Sequence, residues 1–221
     1  MSEPRYDAIA GWYDAEFATS EGGLAARKIV LRLLGKGPGR LLDVGCGGGA
    51  HAEEFAEHDW TVTGVDISPS QLELARRRGI DVVEADAAAL PFKDAVFDAV
   101  VSMFLHTDVE DFAAVLREVA RVLTSEGRFV YLGTHPCFAG PHARFDADRK
   151  VPELHPGYRD TSYRTDAPGI WGDGVRAKVG AIHLPIGLFV QAVLDAGLVL
   201  EQFEEPEGRE YPYIIALRAR R

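Results

Sequence analysis

The sequence predicts a doubly wound α/β domain, and three observations predict it. Apolar strand-like runs alternate with helix-period segments from Arg40 onward, a glycine-rich turn ends the first of those runs, and the last two runs are joined by a link too short for a crossover. Strands buried on both faces of a parallel sheet read as near-continuous apolar runs, which is how "RLLDVG", "WTVTGVDI" and "FDAVVSM" read.

The elements follow in order. After an N-terminal arm rich in aromatics, "LAARKIVLRLLG" (24–35) has apolar residues at helical spacing and stops at Gly35, as a helix covering a sheet does. Strand "RLLDVG", a short helix after Ala50 and strand "WTVTGVDI" come next. In "SPSQLELARRRG", Ser68 is a natural N-cap, Pro69 occupies the first helical position, Gln71 completes a capping box and Gly79 ends the helix. Arg76, Arg77 and Arg78 read as its solvated end, where positive charge suits the helix dipole. Strand "IDVVEAD", loop "AAALPFKDAV", strand "FDAVVSM", helix 108–123 and strand "RFVYLGT" continue the alternation.

The period is lost over about 135–174, a stretch rich in Gly, Pro, His and aromatics; so long a segment inside a compact domain is expected to be a lid or binding insertion. Helix "LPIGLFVQAVLDAG" and strands "LVLEQFEE" and "YPYIIALRAR" close the chain, and "PEGRE" between the strands permits only an antiparallel pair. With no repeat or low-complexity linker, residues 1–221 are expected to form one domain, with an arm over 1–23 and a lid over 135–180.

Composition narrows the function. A chain of 221 residues with 47% hydrophobic residues can bury a substantial core, and a net charge of −10 argues against a nucleic-acid partner, whose affinity rests on clustered Lys and Arg. Cys46 and Cys137 are far apart and lack metal-ligand spacing, so no metal site is read and a reducing compartment is expected. The opening "MSEPRYDAIAGW" lacks the basic and apolar regions of a signal peptide, and Asp98 interrupts the apolar run near Val100. A soluble, cytoplasmic chain without membrane contact is expected, its oligomeric state unread.

A strand, a glycine turn and a helix start present backbone N–H groups and let a ligand approach the main chain. Gly45, Gly47 and Ala50 satisfy the dinucleotide pattern G-x-G-x-x-G/A, with Asp66 about twenty residues on, where an acid can grip ribose hydroxyls. An NAD-binding oxidoreductase is therefore one reading. Asp43, two residues before the first glycine, opposes it, because a pyrophosphate there would be repelled and a cationic ligand attracted.

Taken together, "LLDVGCGGG", "VTGVDISPSQLELAR", "EADAAALPFKDAVFDAVVS" and "LREVARVLTSEGRFVY" resemble the successive motifs of class I S-adenosylmethionine-dependent methyltransferases, of the small-molecule type 11 group. The resemblance runs from Tyr6 to Tyr131, and it implies a seven-stranded sheet in the order 3-2-1-4-5-7-6 with the seventh strand antiparallel. It implies S-adenosylmethionine as cofactor, with the loop Gly45, Cys46, Gly47 under the methionine part, Asp66 on the ribose hydroxyls and Ile67 against adenine. Asp86 and the Ala87 N–H would read the adenine edge, and Tyr13 and Met103 would complete the cofactor site. Gly49, Ala50 and His51 depart from the hydroxyl residue common in that loop. A noncatalytic module that binds S-adenosylmethionine is the other reading of the same motifs.

Methyl transfer from a sulfonium is an in-line displacement, so alignment and exclusion of water come first; a base matters chiefly for a hydroxyl acceptor. Histidines 106, 135, 155 and 183 stand where they could face the methyl, with His183 the first candidate for a catalytic base and His135 the second. "SMFLHT" stands after the fourth strand in place of the Asp-Pro-Pro-Tyr type of tetrapeptide of amide and base N-methyltransferases. Phe138, Tyr158, Tyr163 and Trp171 either line an apolar pocket or anchor the lid. The expected acceptor is a small, aromatic or otherwise apolar metabolite, with O-methylation favoured.

Overall fold

The structure, a computed structural model, describes residues 4–18, 20–146, 151–206, 208 and 210–221. Residues 1–3 and 19 of the expected arm and 147–150 of the expected lid lie outside the described residues.

In chain order the helices and strands are α1 (Ala10–Tyr13), α2 (Glu21–Leu34), β1 (Gly39–Val44), α3 (Ala52–Glu57), β2 (Trp60–Asp66), α4 (Pro69–Arg77), β3 (Asp81–Glu84), β4 (Phe97–Met103), α5 (Phe112–Val122), β5 (Leu123–Thr134), β6 (Ala143–Asp146), β7 (Val151–Leu154), α6 (Val175–Val179), α7 (Ile186–Asp195), β8 (Val199–Glu204) and β9 (Ile214–Arg220). Seven strands form one sheet in the order β3-β2-β1-β4-β5-β9-β8, parallel from β3 to β5. β9 runs antiparallel to both β5 and β8. Counting only this sheet, the order and the antiparallel seventh strand are those the resemblance implies.

The two-residue period of the strands divides the core in two. Leu42, Val44, Val100, Phe129, Tyr131, Ile215 and Leu217 face α5 and α7, whereas Leu41, Ala99, Val101, Val130, Leu132 and Ala216 face α2 and Phe55 of α3. Helices therefore cover both faces, and the sheet's central carboxyl ends are left as the open edge where ligands bind in such folds.

Some boundaries differ from the sequence reading: α2 starts at Glu21 and β5 at Leu123, earlier than expected. α5 starts at Phe112 and not at residue 108, because Asp111 caps it by accepting the Ala114 N–H at 2.8 Å. The aperiodic insertion contains a small hairpin, β6 with β7, and the single-turn α6.

α4 begins as expected, with Ser68 Oγ accepting the Gln71 N–H at 3.2 Å and Pro69 in the first turn. The expected capping box is not closed, however: the Gln71 side chain turns away from Ser68 and its amide has no partner. Among the described residues no helix is long and apolar enough to cross a membrane.

Candidate functional site

The loop after β1 turns at Gly45 (φ +77°) and Gly47 (φ +53°), conformations that only glycine adopts without strain. Its N–H groups, expected to face a ligand, are already spent. Gly45 and Cys46 both donate to the Val65 carbonyl, at 2.8 and 3.0 Å, and Gly47 donates to Asp66 Oδ2 at 2.9 Å. The cause is the register of the neighbouring parallel strands, Val44 opposite Val65, which folds the loop back over the end of β2. The loop is thus a floor that lets a ligand approach closely, not a cradle of N–H groups for phosphates.

Above that floor lies a cleft that opens to solvent at its mouth. Tyr13, Gly45, Gly47, Asp66, Ile67, Asp86, Ala87 and Met103 all line it, so the structure brings together eight of the nine residues expected around a cofactor. Cys46 is the exception. It is buried behind the loop, where a Cβ on Gly64 would meet its sulfur at 2.7 Å, and burial raises its thiol well above the usual range.

Asp66, Asp86 and Asp108 line the cleft, and Asp43 is buried nearby. Asp66 accepts from Gly47 N–H through Oδ2 and from Ser68 N–H through Oδ1, each at 2.9 Å, which fixes its orientation while leaving each oxygen a second lone pair. Burial raises its pKa, opposed by those N–H groups. Asp43, buried beneath the floor, is pushed up to about 7, first by burial and then by Asp66. Asp86 sits in a turn of its own, accepting the Ala88 N–H at 3.0 Å.

The arm and the insertion meet at the mouth. Tyr6 and Tyr13 pack edge to face, 5.1 Å between ring centres, and Tyr6 donates to Asp108 Oδ1 at 3.2 Å. Arg176 on α6 forks onto the same residue, 2.6 Å to Oδ1 and 3.1 Å to Oδ2, and donates to Thr107 Oγ1 at 2.6 Å. Arg78 is exposed at the end of α4, as expected, but it is also ion-paired. Its guanidinium holds Asp14 of the arm at 2.7 and 2.9 Å and the Gly48 carbonyl at 2.5 Å, clasping the arm to the glycine loop. Neither Arg78 nor Arg176 announced itself in the sequence, because what defines each is a partner 64 or 68 residues away.

Phe104 follows β4 with φ +61°, a left-handed conformation that a bulky residue takes only under constraint, and it too lines the cleft. Of the histidines, none lines it. His135 has both ring nitrogens engaged, Nδ1 accepting the Cys137 N–H at 3.1 Å and Nε2 on Glu205 at 2.7 Å, which leaves it the geometry of a structural residue and no lone pair for an acceptor. His106 is buried against Tyr131, whose hydroxyl is 2.6 Å from Nδ1. His183 is buried, and its neighbour Ile182 donates to the Thr107 carbonyl at 2.9 Å. Burial and then His142 push its imidazole down to about 4, so it is neutral at pH 7.

Residues 42–131, from the middle of β1 to β5, match the family model of the type 11 methyltransferase domain. The match and the similar structures support a class I S-adenosylmethionine-dependent methyltransferase. It is 39% identical over 143 residues to the ubiquinone/menaquinone biosynthesis C-methyltransferase UbiE of Desulfotalea psychrophila, covering 61% of this chain and 58% of that one. It is 41% identical over 118 residues to the demethylmenaquinone methyltransferase of Thermus thermophilus, covering 50% and 54%. The chain thus spans less than two thirds of the length of these methyltransferases. Among solved structures, the S-adenosylmethionine-dependent methyltransferase of Mesorhizobium loti superposes with a TM-score of 0.72 at 26% identity over 89% of this chain and 96% of that one. The cofactor implied by the match is S-adenosylmethionine, and the match stops short of the insertion and of α7.

Proposed function

We propose that this protein transfers the methyl group of S-adenosylmethionine to a small, aromatic or largely apolar metabolite, with a hydroxyl oxygen as the favoured acceptor atom, in the cytoplasm. The observation that carries the reading is the cleft itself: one cavity bounded by the glycine floor, the fixed Asp66 carboxylate and the Asp86–Ala87 turn.

The residues present fit the cofactor. The Gln71 amide is buried beside the floor with neither Nε2 nor Oε1 partnered, 3.6 Å from where a Cβ on Gly47 would be. An unpaired buried amide is costly, and the amino acid end of the cofactor carries both a donor and an acceptor that would relieve it. In this reading the Gly45 to Gly47 floor underlies that end, Asp66 takes the ribose hydroxyls, Ile67 packs on adenine, and Asp86 with the Ala87 N–H meets the adenine edge. Tyr13 and Met103 close the site, and Asp43 lends negative potential to a ligand that carries positive charge. Bound there, the cofactor supplies an electrophilic methyl on a sulfonium.

The chain's own residues do the rest. Arg78 ties the arm to the glycine loop and Arg176 ties the insertion to Asp108 at the mouth, contacts that would limit water around the displacement. His183 stands on the insertion side as the proton acceptor for a hydroxyl substrate, in the neutral form that a base requires. Names of relatives agree with a small acceptor, including an O-methyltransferase of Pyrenophora dematioidea, 35% identical over 133 residues.

Calorimetry separates the readings. The native protein should bind S-adenosylhomocysteine and leave NADH unbound, and a screen with labelled S-adenosylmethionine should yield a methylated small molecule. Tight NADH binding would restore the oxidoreductase reading, and cofactor binding with no transfer to any metabolite would favour the noncatalytic module. If residues 136–180 are a lid, their amides should exchange faster in the free protein than with cofactor and acceptor both bound. Equal protection in both states would make the segment a fixed part of the scaffold.

A further inference from the structure

The arm and the insertion are distant in sequence, yet one carboxylate of the cleft wall takes donors from both. Asp108 Oδ1 accepts the Tyr6 hydroxyl at 3.2 Å and Arg176 Nη1 at 2.6 Å, and its Oδ2 accepts Arg176 Nη2 at 3.1 Å. Its main-chain carbonyl takes a further arm donor, Arg5 Nη2 at 2.8 Å. Tyr6 and Arg5 belong to the arm, Arg176 to α6 of the insertion and Asp108 to the loop between β4 and α5. Two contacts join arm and insertion directly. The Arg5 guanidinium lies over the Tyr163 ring at 4.4 Å, and Lys178 Nζ over the Trp12 ring at 4.5 Å, each a cation on an aromatic face.

What the shared carboxylate adds is coupling. The Asp108 side chain is 17% exposed and that of Arg176 25%, so the pair is largely withdrawn from water, and a charge so placed is costly to leave without its partner. When the insertion lifts, Arg176 leaves, and water drawn to the bared carboxylate competes for the Tyr6 hydroxyl. When the arm lifts, Oδ1 loses that hydroxyl, and water gains access to the Arg176 fork. Each segment therefore lowers the cost of opening the other, and such a coupling is reciprocal. Arg5, Tyr6 and Asp108 line the cleft, whereas Arg176 does not, so Arg176 acts on a ligand there only through the groups that it holds.

Resting on the methyltransferase reading, we propose that Asp108 is a positioning residue that joins arm and insertion into one cover, so that the cofactor leaves the cleft only when both segments open together. Arg176 is the second positioning residue of this device: it fixes the Asp108 carboxylate for Tyr6 and so holds the arm without touching it. The consequence for the reaction is order. A ligand that holds the insertion down also slows release of the cofactor, which keeps the methyl donor in place while the acceptor is bound.

The test uses the full chain and two readouts, the rate at which S-adenosylhomocysteine dissociates and amide hydrogen exchange in the free protein. Arg176→Met should speed dissociation about tenfold, the low end for hydrogen bonds made to a charged group, and Arg176→Lys, which keeps the charge but not the fork, should fall between. Tyr6→Phe should also speed it, and the double variant should release the ligand no faster than the faster single variant, because both substitutions break one network. In the free protein, Arg176→Met should speed exchange in residues 6–13 of the arm, and Tyr6→Phe, which removes a single oxygen and leaves packing intact, should speed exchange in residues 175–182. The proposal falls if the effects of the two substitutions multiply, if Arg176→Met leaves dissociation and arm exchange at native values, or if each substitution loosens its own segment alone. A native protein that does not bind S-adenosylhomocysteine would sink the methyltransferase reading instead, and the exchange measurement, which needs no ligand, would still decide the coupling.

Discussion

Replacing Asp66 by alanine is expected to weaken S-adenosylhomocysteine binding about 30-fold or more, or roughly 2 kcal/mol, the range for hydrogen bonds made by a charged group. The substitution removes two things at once. It deletes the acceptors proposed for the ribose hydroxyls, and it frees the Gly47 and Ser68 N–H groups that the carboxylate now holds at 2.9 Å each. The two losses separate with Asp66→Asn, which can keep one N–H contact and one acceptor oxygen but gives up the charge; an intermediate affinity is expected. Thermal melting in the absence of ligand reports the loop term alone, because the ligand term is absent there. A folded Asp66→Ala protein with undiminished affinity would mean that Asp66 serves only to shape the glycine turn.

What was legible in the sequence was what is local or periodic. The strands announced themselves because burial on both faces forces continuous apolar runs, and the start of α4 because Ser68 and Pro69 satisfy a helix terminus within three residues. The glycine floor was legible as a turn, but the fate of its N–H groups was not, since Val65 and Asp66 reach them only through the pairing of β1 with β2. The same limit explains Gln71. Its position in the first turn of α4 fits a capping box, and only the fold reveals that its amide faces the loop. His142 lay in an aperiodic stretch with nothing to distinguish it from the other histidines. Its proximity to His183 depends on the insertion folding back so that Arg164 pairs with Ala181, a contact that neither histidine's neighbours encode.

The largest expected effect is at His183. With a hydroxyl acceptor from the methyl-transfer screen, His183→Ala should lower kcat by about 10²- to 10⁴-fold, the contribution of a positioned base, while S-adenosylhomocysteine affinity stays close to native because His183 does not line the cofactor cleft. The pH dependence carries its own sign. A base works only when unprotonated, so activity is lost as pH falls through its pKa; with the ring held at about 4 by burial and then by His142, the native enzyme should keep its rate well below the roughly 6.5 of an ordinary histidine. Since His142 is part of that depression, His142→Phe should move the acid limb upward toward the value burial alone sets, and His183→Ala should abolish the limb. His183→Gln distinguishes proton transfer from orientation, because an amide can accept a hydrogen bond but cannot take up the proton. Full activity in the Gln variant would leave His183 an orienting role only. Full activity in the Ala variant would make it a packing residue of the insertion, and the acceptor would then be one whose attacking atom needs no base, such as a neutral amine or a thiolate.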